Sequence, residues 1–439
     1  MGQLDTNLQA LLDKRKQKGR FRSLKEYDTR AGSGLTDFSS NDYLSITTDA
    51  GLREAYVSRI ASEPMVLGST GSRLLSGGTP SHRLLERRLA DHFDAPSALL
   101  FNSGWDANVS FFGNAPQPHD WVVYDELVHA SVHSGMRASR VAADRKVQFL
   151  HNDPESLAEV LQKITTESKK NAGKTKPTIF LAMESLYSMD GDFAPIPSLL
   201  DVLDVYVPRA QQCVIVDEAH STGVYGSGGR GVVDALGEGT TRTGSGRVTV
   251  RLMTFGKGVG CSGAVLLASE TVRSFLINFA RPFIFSTALP LSTVFALESA
   301  WDFLGSSKGE TRRALLVDTI NYFMDRVGPL LAFTRPTILR LPDPTPVPFP
   351  DGRTLPPRPA APIIGLLSPT PHALSAFLLE RGFVVRPVVP PTVPPGGERV
   401  RICLRAGIDL GALDGLIRAL AEWVKLKLAD GEEEVRAKL

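Results

Sequence analysis

Between about residues 80 and 270, short, continuously apolar runs alternate with longer stretches whose apolar positions recur every three or four residues. The runs Ala98 to Phe101, Trp121 to Tyr124, Thr178 to Met183, Cys213 to Val216, Arg247 to Thr254 and Ala264 to Ala268 read as strands. Helical spacing falls near 81–93, 104–113, 154–167 and 196–206. A strand that is apolar at every position must be covered on both faces. The pattern therefore predicts an α/β fold, with a mostly parallel central sheet flanked by helices. Such sheets bind ligands beyond the carboxyl ends of their strands, so chemistry is sought in the loops that follow these runs.

After about residue 286 the pattern changes to two long helices, roughly 288–306 and 309–328, and then to a tract at 336–362 with ten prolines. That tract reads as an extended surface loop inserted in a second, smaller α+β domain. A closing helix carries Leu413, Leu416, Ile417, Leu420 and Val424 on one face, with a stop expected near Gly431. At the other end, Thr6-Asn7-Leu8-Gln9 reads as a capping box opening a helix that runs to about Gly19. The expected organisation is an N-terminal helix and arm over 1–60, a large α/β domain over 61–287 and a small α+β domain over 288–439.

Charge narrows the partners. Lys+Arg number 49 against Asp+Glu 47, a net +2, which provides no sequence-wide attraction for nucleic acid or an anionic membrane. Neither partner is expected. No apolar run approaches the ~20 residues of a spanning helix, and the polar, then basic, N-terminal stretch lacks the apolar segment of a secretory signal. Cys213, Cys261 and Cys403 lie far apart with no C-x-x-C spacing, so no disulfide framework and no metal site are expected.

Four strand or helix ends carry the informative residues. The run Cys213–Val216 leads into Asp217-Glu218-Ala219-His220, and another leads through Met253-Thr254-Phe255-Gly256 to Lys257. Asn102-Ser103-Gly104-Trp105 follows an upstream strand, and His129-Ala130-Ser131 opens a helix. Together they match the needs of pyridoxal 5'-phosphate: an amine for a Schiff base, a carboxylate to keep the pyridinium nitrogen protonated, a flat group over the ring and a glycine-bearing helix start for the phosphate. Lys257 would supply the amine and Asp217 the carboxylate. His129 would stack on the ring, Gly104 and Trp105 would cradle the phosphate through their backbone, and Thr254 would add a hydroxyl. Rival motifs lack their context: Gly226, Gly228 and Gly231 satisfy G-x-G-x-x-G, but nine residues separate Val216 from the first glycine.

The runs Asn41-Asp42-Tyr43-Leu44, Gly71 to Gly77, Glu184 to Asp192, Asp217 to Val224 and Thr254 to Gly260 resemble the α-oxoamine synthases over nearly the whole chain, from about 36 to 425. This resemblance implies the fold-type I architecture of pyridoxal phosphate transferases, and a homodimer with active sites at the subunit interface. It assigns Lys257, Asp217 and His129 the roles above and places His220 near the cofactor's phenolic oxygen. It further implies that Ser188, Asn41 and Thr392 line the site, that Arg401 holds the amino acid carboxylate, and that Thr287 reaches the phosphate of the partner's cofactor.

H-N-D at 151–153 and P-P-T-V-P at 390–394 are most like the biotin-pathway branch of that family. The implied reaction condenses L-alanine with pimeloyl-CoA, releasing CoA and CO2 to give 8-amino-7-oxononanoate. Alternatives are a family member using glycine or serine with a different acyl-CoA, or a non-catalytic regulatory subunit of the same fold. This chain departs from the branch at Val389, where an arginine is usual, and at insertions around 235–247 and 336–362. Its last residues, Ala437-Lys438-Leu439, resemble the peroxisomal tripeptide S-K-L, which predicts recognition by a peroxisomal import receptor; a cytoplasmic location is expected if that signal is not read.

Overall fold

A computed structural model describes residues 2–29, 32–64, 67–170, 176–342 and 361–438. A two-residue strand, β1 (Thr36–Asp37), precedes the central sheet. That sheet comprises β2 (Ser97–Phe101), β3 (Trp121–Asp125), β4 (Lys146–Phe149), β5 (Ile179–Glu184), β6 (Gln212–Asp217), β7 (Val250–Thr254) and β8 (Ala264–Ala268). Its order is β2-β8-β7-β6-β5-β3-β4, and only β8 runs antiparallel to its neighbours. Every residue of β2, β5, β7 and β8 is buried, as continuous apolar runs require.

Alternate residues along each strand feed different cores. Val123, Leu181, Val214 and Val216 pack with the helices Pro154–Lys170 and Ile196–Tyr206. Val122, Phe180, Ile215 and Leu252 pack on the other face with the helices Gly104–Asn114 and Ala130–Ala138. A smaller antiparallel sheet, in the order β11-β12-β9, follows, built from β9 (Ile363–Leu367), β11 (Arg386–Val388) and β12 (Arg399–Cys403). Its partner element β10 (Phe383–Val384) pairs in parallel with β1, which ties the N-terminal arm to this second layer. The helices Leu291–Leu304, Ser307–Ala332 and Leu410–Lys438 share its apolar core.

Several local expectations are corrected. The run from Arg247 becomes a strand only at Val250, because Arg247 is drawn into ion pairs with Glu238, Asp201 and Asp204. The first helix begins at Gln3, and no side chain caps it. Thr6 lies inside the helix, where its hydroxyl donates back to the Gly2 carbonyl at 3.3 Å, so the capping box does not form. The last helix runs on to Lys438 rather than stopping near Gly431.

Most of the proline-rich tract, residues 343–360, lies outside the described residues. Its described flanks are pinned at single points, although Pro336, Thr337 and Arg340 are exposed as expected. Leu339 is fully buried, Arg340 bridges to Leu367, and the Pro362 carbonyl accepts from Leu404 N at 2.7 Å. The 235–247 insertion is anchored through Arg242 to Asp91 and through Arg247 to Asp201 and Asp204. None of those partners lines the cavity described next.

Candidate active site

Parallel register puts acidic strand ends side by side: Glu184 at the end of β5 is the Cα partner of Asp217 at the end of β6. Strand β7 lies beside β6 and delivers Thr254 and, three residues later, Lys257 to the same edge of the sheet. These residues face a cavity of about 320 Å³, which Asn41, Gly104, Trp105, His129 and His220 also line. Eight of the residues singled out from the sequence thus meet in one place.

Lys257 is half-buried, and no described residue holds its Nζ by a hydrogen bond or ion pair. Burial pushes its ammonium below the ordinary lysine range; the nearby Asp217 and Glu184 charges partly restore it, and Arg401 lowers it further. The result is an amine with a raised neutral fraction and nothing to displace before it reacts. Asp217 is fixed at both oxygens: Oδ1 accepts from Ala219 N and Oδ2 from Asn108 Nδ2, each at 2.9 Å. The second Asn108 N–H donates to Ser131 Oγ at 3.0 Å. Ser131 in turn pairs with His129 Nδ1 at 2.7 Å, and its amide donates to the same nitrogen. His129 therefore caps the helix Ala130–Ala138 through Nδ1, which leaves the ring proton on Nε2. Burial holds this imidazole below the usual histidine range; Asp217 opposes that and Lys257 adds to it. Trp105 meets the His129 ring edge-on, with centroids 5.9 Å apart.

His220 is buried, and its Nδ1 lies 2.6 Å from the Tyr43 hydroxyl. Burial, with help from Lys257 and Arg401, pushes its pKa well down, so it is neutral. The helix Gly104–Asn114 starts on the cavity wall. Ser103 satisfies the Asp106 amide at 3.0 Å, whereas the amides of Gly104 and Trp105 have no intrahelical acceptor. They form an anion site by construction. Thr254 crowds this turn: a Cβ at position 104 would overlap its γ-methyl, which is why glycine stands there.

Three expected residues are placed elsewhere, and a fourth lies on the outer surface. Arg401 lies behind the cavity wall, donating through Nε to the Ser188 carbonyl at 2.6 Å and through its terminal nitrogens to Asn41 Oδ1 at 3.0 Å and Cys403 Sγ at 2.9 Å. Ser188 thus contributes a carbonyl to Arg401 rather than a side chain to the wall. Thr287 is exposed on the outside, as a residue directed at a partner's cofactor must be, and its carbonyl accepts from Asn102 Nδ2 at 2.7 Å. Thr392 is exposed in the turn after β11 and does not line the cavity, because its amide closes a turn onto the Val389 carbonyl.

Sequence reading missed Glu184, Asn108, Ser131 and Tyr43 as functional positions. Burial, reinforced by the Asp217 charge, drives the Glu184 carboxyl well above the usual range, while the Lys257 charge and the His129 backbone amide oppose the shift. Its signature was present, since an apolar run ending in an acid is the same signal that marked Asp217. Asn108 sits one turn inside a helix and has no such signal.

The lysine, the two-point-held aspartate, the neutral imidazoles and the helix start suit a phosphorylated pyridine aldehyde. Gly104 leaves the Gly104 and Trp105 amides open to the phosphate. A sheet of this order with a free lysine over its carboxyl edge defines the fold-type I transferases. The chain belongs to the aminotransferase class I and II family, whose model matches residues 33–420, and within it to the α-oxoamine synthases.

It is 39% identical over 396 residues to an 8-amino-7-oxononanoate synthase of Emericella nidulans, with 90% of each chain covered. It is 31% identical over 433 residues to the aminoacyl transferase sphA of Aspergillus fumigatus, covering 97% of this chain and 88% of that one. A serine palmitoyltransferase of Sphingomonas wittichii shares the fold, with a TM-score of 0.73 at 23% identity over 89% of this chain and 88% of the other.

Proposed function

We propose that this chain is a pyridoxal 5'-phosphate enzyme that condenses L-alanine with pimeloyl-CoA, releasing CoA and CO2 and giving 8-amino-7-oxononanoate for biotin biosynthesis. The observation that carries the reading is the Nζ of Lys257, unheld and depressed in basicity, over a carboxylate fixed at both oxygens. When bound, the cofactor supplies an electron sink for the electrons left at the amino acid Cα by loss of a proton or of CO2. The chain's own residues do the rest. Asp217 keeps a positive charge on the ring nitrogen, and the Gly104 and Trp105 amides take the phosphate. His129 covers the ring, and neutral His220 offers a hydrogen bond to its oxygen. Lys257 Nζ takes the proton from Cα. Arg401, already oriented by Ser188 and Asn41, would meet the amino acid carboxylate through its terminal nitrogens.

The measurement is product mass after incubating the holoenzyme with alanine and pimeloyl-CoA. A mass from glycine or serine but none from alanine would replace the substrate assignment. Lys257→Ala should lose the visible absorbance of the bound cofactor as well as turnover; retention of both would end the reading. A second reading, condensation of a different amino acid and acyl-CoA, is favoured by Val389 standing where an arginine is usual and by the similarity to the aminoacyl transferase.

The same reading includes a homodimer formed through the face that carries Thr287. Leu67, which lines a surface hollow with Thr287, and Phe285, two residues before Thr287, support it, being exposed at 87% and 71%. Light scattering that gives a monomer mass at working concentration would exclude it. It also includes import into peroxisomes, supported by the tripeptide Ala437-Lys438-Leu439. Tagged chains with and without the tripeptide should distribute differently between cytosol and peroxisome; identical cytosolic distributions would rule import out.

A further inference from the structure

A charged cluster outside the cavity holds the loop that orients Arg401. His151 lies between two buried carboxylates: its Nδ1 is 2.9 Å from Asp125 Oδ1, and its Nε2 is 2.9 Å from Asp192 Oδ2. Each ring nitrogen lies 2.9 Å from a carboxylate oxygen, nearer than the Asn152 Nδ2 that stands 3.2 Å from Nε2, so the carboxylates favour a proton on each. Asn152, in a left-handed backbone conformation with φ 53°, closes the arrangement by donating its amide to Asp125 Oδ2 at 2.8 Å and Nδ2 to Asp192 Oδ2 at 3.0 Å. The Tyr187 ring stands edge-on to the imidazole at 4.4 Å.

Asp125 ends β3, whereas Asp192 closes the loop that follows β5. That loop is folded on itself, with Tyr187 N donating to the Asp192 carbonyl at 2.9 Å and Gly191 N to the Tyr187 carbonyl at 3.0 Å. From its tip, the Ser188 carbonyl takes Arg401 Nε at 2.6 Å, and the Met189 carbonyl and Asp190 carboxylate take Arg399 Nη1 at 3.1 and 2.5 Å. At Gly191, φ 68°, a Cβ would collide with the Ile363 carbonyl, so the tip is pressed onto β9. The loop thus joins the end of one sheet to the arginines of the other.

We propose that His151, as an imidazolium clamped by Asp125 and Asp192, is a positioning residue that sets the 185–193 loop and, through Ser188, the orientation of Arg401 toward the amino acid carboxylate. This rests on the function proposed above, in which Arg401 receives that carboxylate. Burial alone would lower the His151 pKa, but hydrogen bonds and charge from Asp125 and Asp192 outweigh it and raise it to about 10. The other polar groups facing the residue are Glu126, which accepts from its backbone amide at 3.1 Å, Asn152 and the Tyr187 ring. None of these supplies a competing positive charge. The histidine is therefore charged throughout the working range, and the clamp holds without acting as a switch.

Two measurements decide it. In wild-type protein labelled at histidine, one imidazole should show both ring N–H protons at pH 8 in 1H–15N spectra and lose that signature in H151Q. In the holoenzyme, H151Q should weaken alanine binding, read as the concentration that half-saturates the change in the cofactor's visible band, by roughly tenfold, with kcat within about threefold. If H151Q does not fold, D192N carries the same expectation at nearly unchanged shape. A ring with a single proton at pH 8 overturns the proposal, as does alanine affinity within twofold of wild type in a folded variant. Failure of the underlying reading looks different: the wild-type protein would then show no visible band, whatever His151 does.

Discussion

Gly104→Ala tests the phosphate cradle without assuming any step of the reaction. Gly104 opens its helix with ordinary helical backbone, so alanine costs nothing conformationally and the penalty is steric. A new Cβ would overlap the γ-methyl of Thr254 and stand 3.5 Å from Thr254 Cβ. Thr254 is buried at the end of β7 and β-branched, so it has few rotamers to escape into. Two outcomes relieve the overlap. If the helix stays, overpacking costs about 1–3 kcal/mol of stability. If it withdraws, the Gly104 and Trp105 amides leave the phosphate, and each ~1.4 kcal/mol lost there weakens cofactor binding about tenfold. Urea unfolding of the apoprotein reads the first, and cofactor titration followed by the visible band reads the second. Thr254→Ser deletes only the offending methyl, at a cost of roughly 1 kcal/mol alone. Combined with Gly104→Ala it should recover at least about 1 kcal/mol in one of the two assays, a coupling expected of atoms in direct contact. Stability and cofactor affinity both unchanged in Gly104→Ala, or no recovery in the double variant, would refute the crowding argument.

Three further outcomes follow from the buried charges. His92 lies among Phe93 and Trp301, where burial, with Arg230, Arg88, Arg313 and Arg251, lowers its pKa to about 4. The unfolded chain takes up this proton below about 6.5 and the native chain does not, so stability falls as pH drops from 6.5 toward 4, by up to about 3 kcal/mol. In His92→Phe the difference between urea midpoints at pH 7 and pH 5 should shrink. Arg251→Met leaves Glu218, fully buried and 2.7 Å from that guanidinium, without its counter-charge. Unfolding free energy should drop by about 3–5 kcal/mol, and a loss under 1 kcal/mol would show the pair to be dispensable. Tyr43→Phe strips the hydroxyl from His220 Nδ1, costing about 1–3 kcal/mol of stability and lowering kcat, while cofactor affinity should change little.

The sequence exposed this molecule unevenly, for physical reasons. Strands buried on both faces announce themselves: β8 has the expected bounds, and β2, β3, β5 and β6 lie within one or two residues of them. Strand β4, Lys-Val-Gln-Phe, alternates polar and apolar because it is an edge with one neighbour, and an apolar-run search passes over it. The same distinction governs the site. Residues carried on strand ends, Asp217 and Lys257, could be placed together because parallel strands share a direction. Glu184 was equally legible by that rule, as was Asp125. Asn108 was not, since its role depends on a helix face meeting β6, a contact no local pattern encodes. Thr392 marks the opposite limit. It sits in P-P-T-V-P, but a motif records which residues occur together in sequence, whereas a turn closing on the Val389 carbonyl is decided by tertiary packing. Arg401 is intermediate: its cation was legible, but its setting was not. Its three nitrogens already serve Ser188, Asn41 and Cys403, and Tyr43 bonds to it as well, so its availability to a substrate depends on how rigidly the 185–193 loop holds the guanidinium in place. Rigidity of that kind comes from Asp125, His151 and Asp192, far apart in sequence and outside the cavity, so under the proposed function the hold on an amino acid carboxylate would be a property of the loop's anchorage as much as of the arginine.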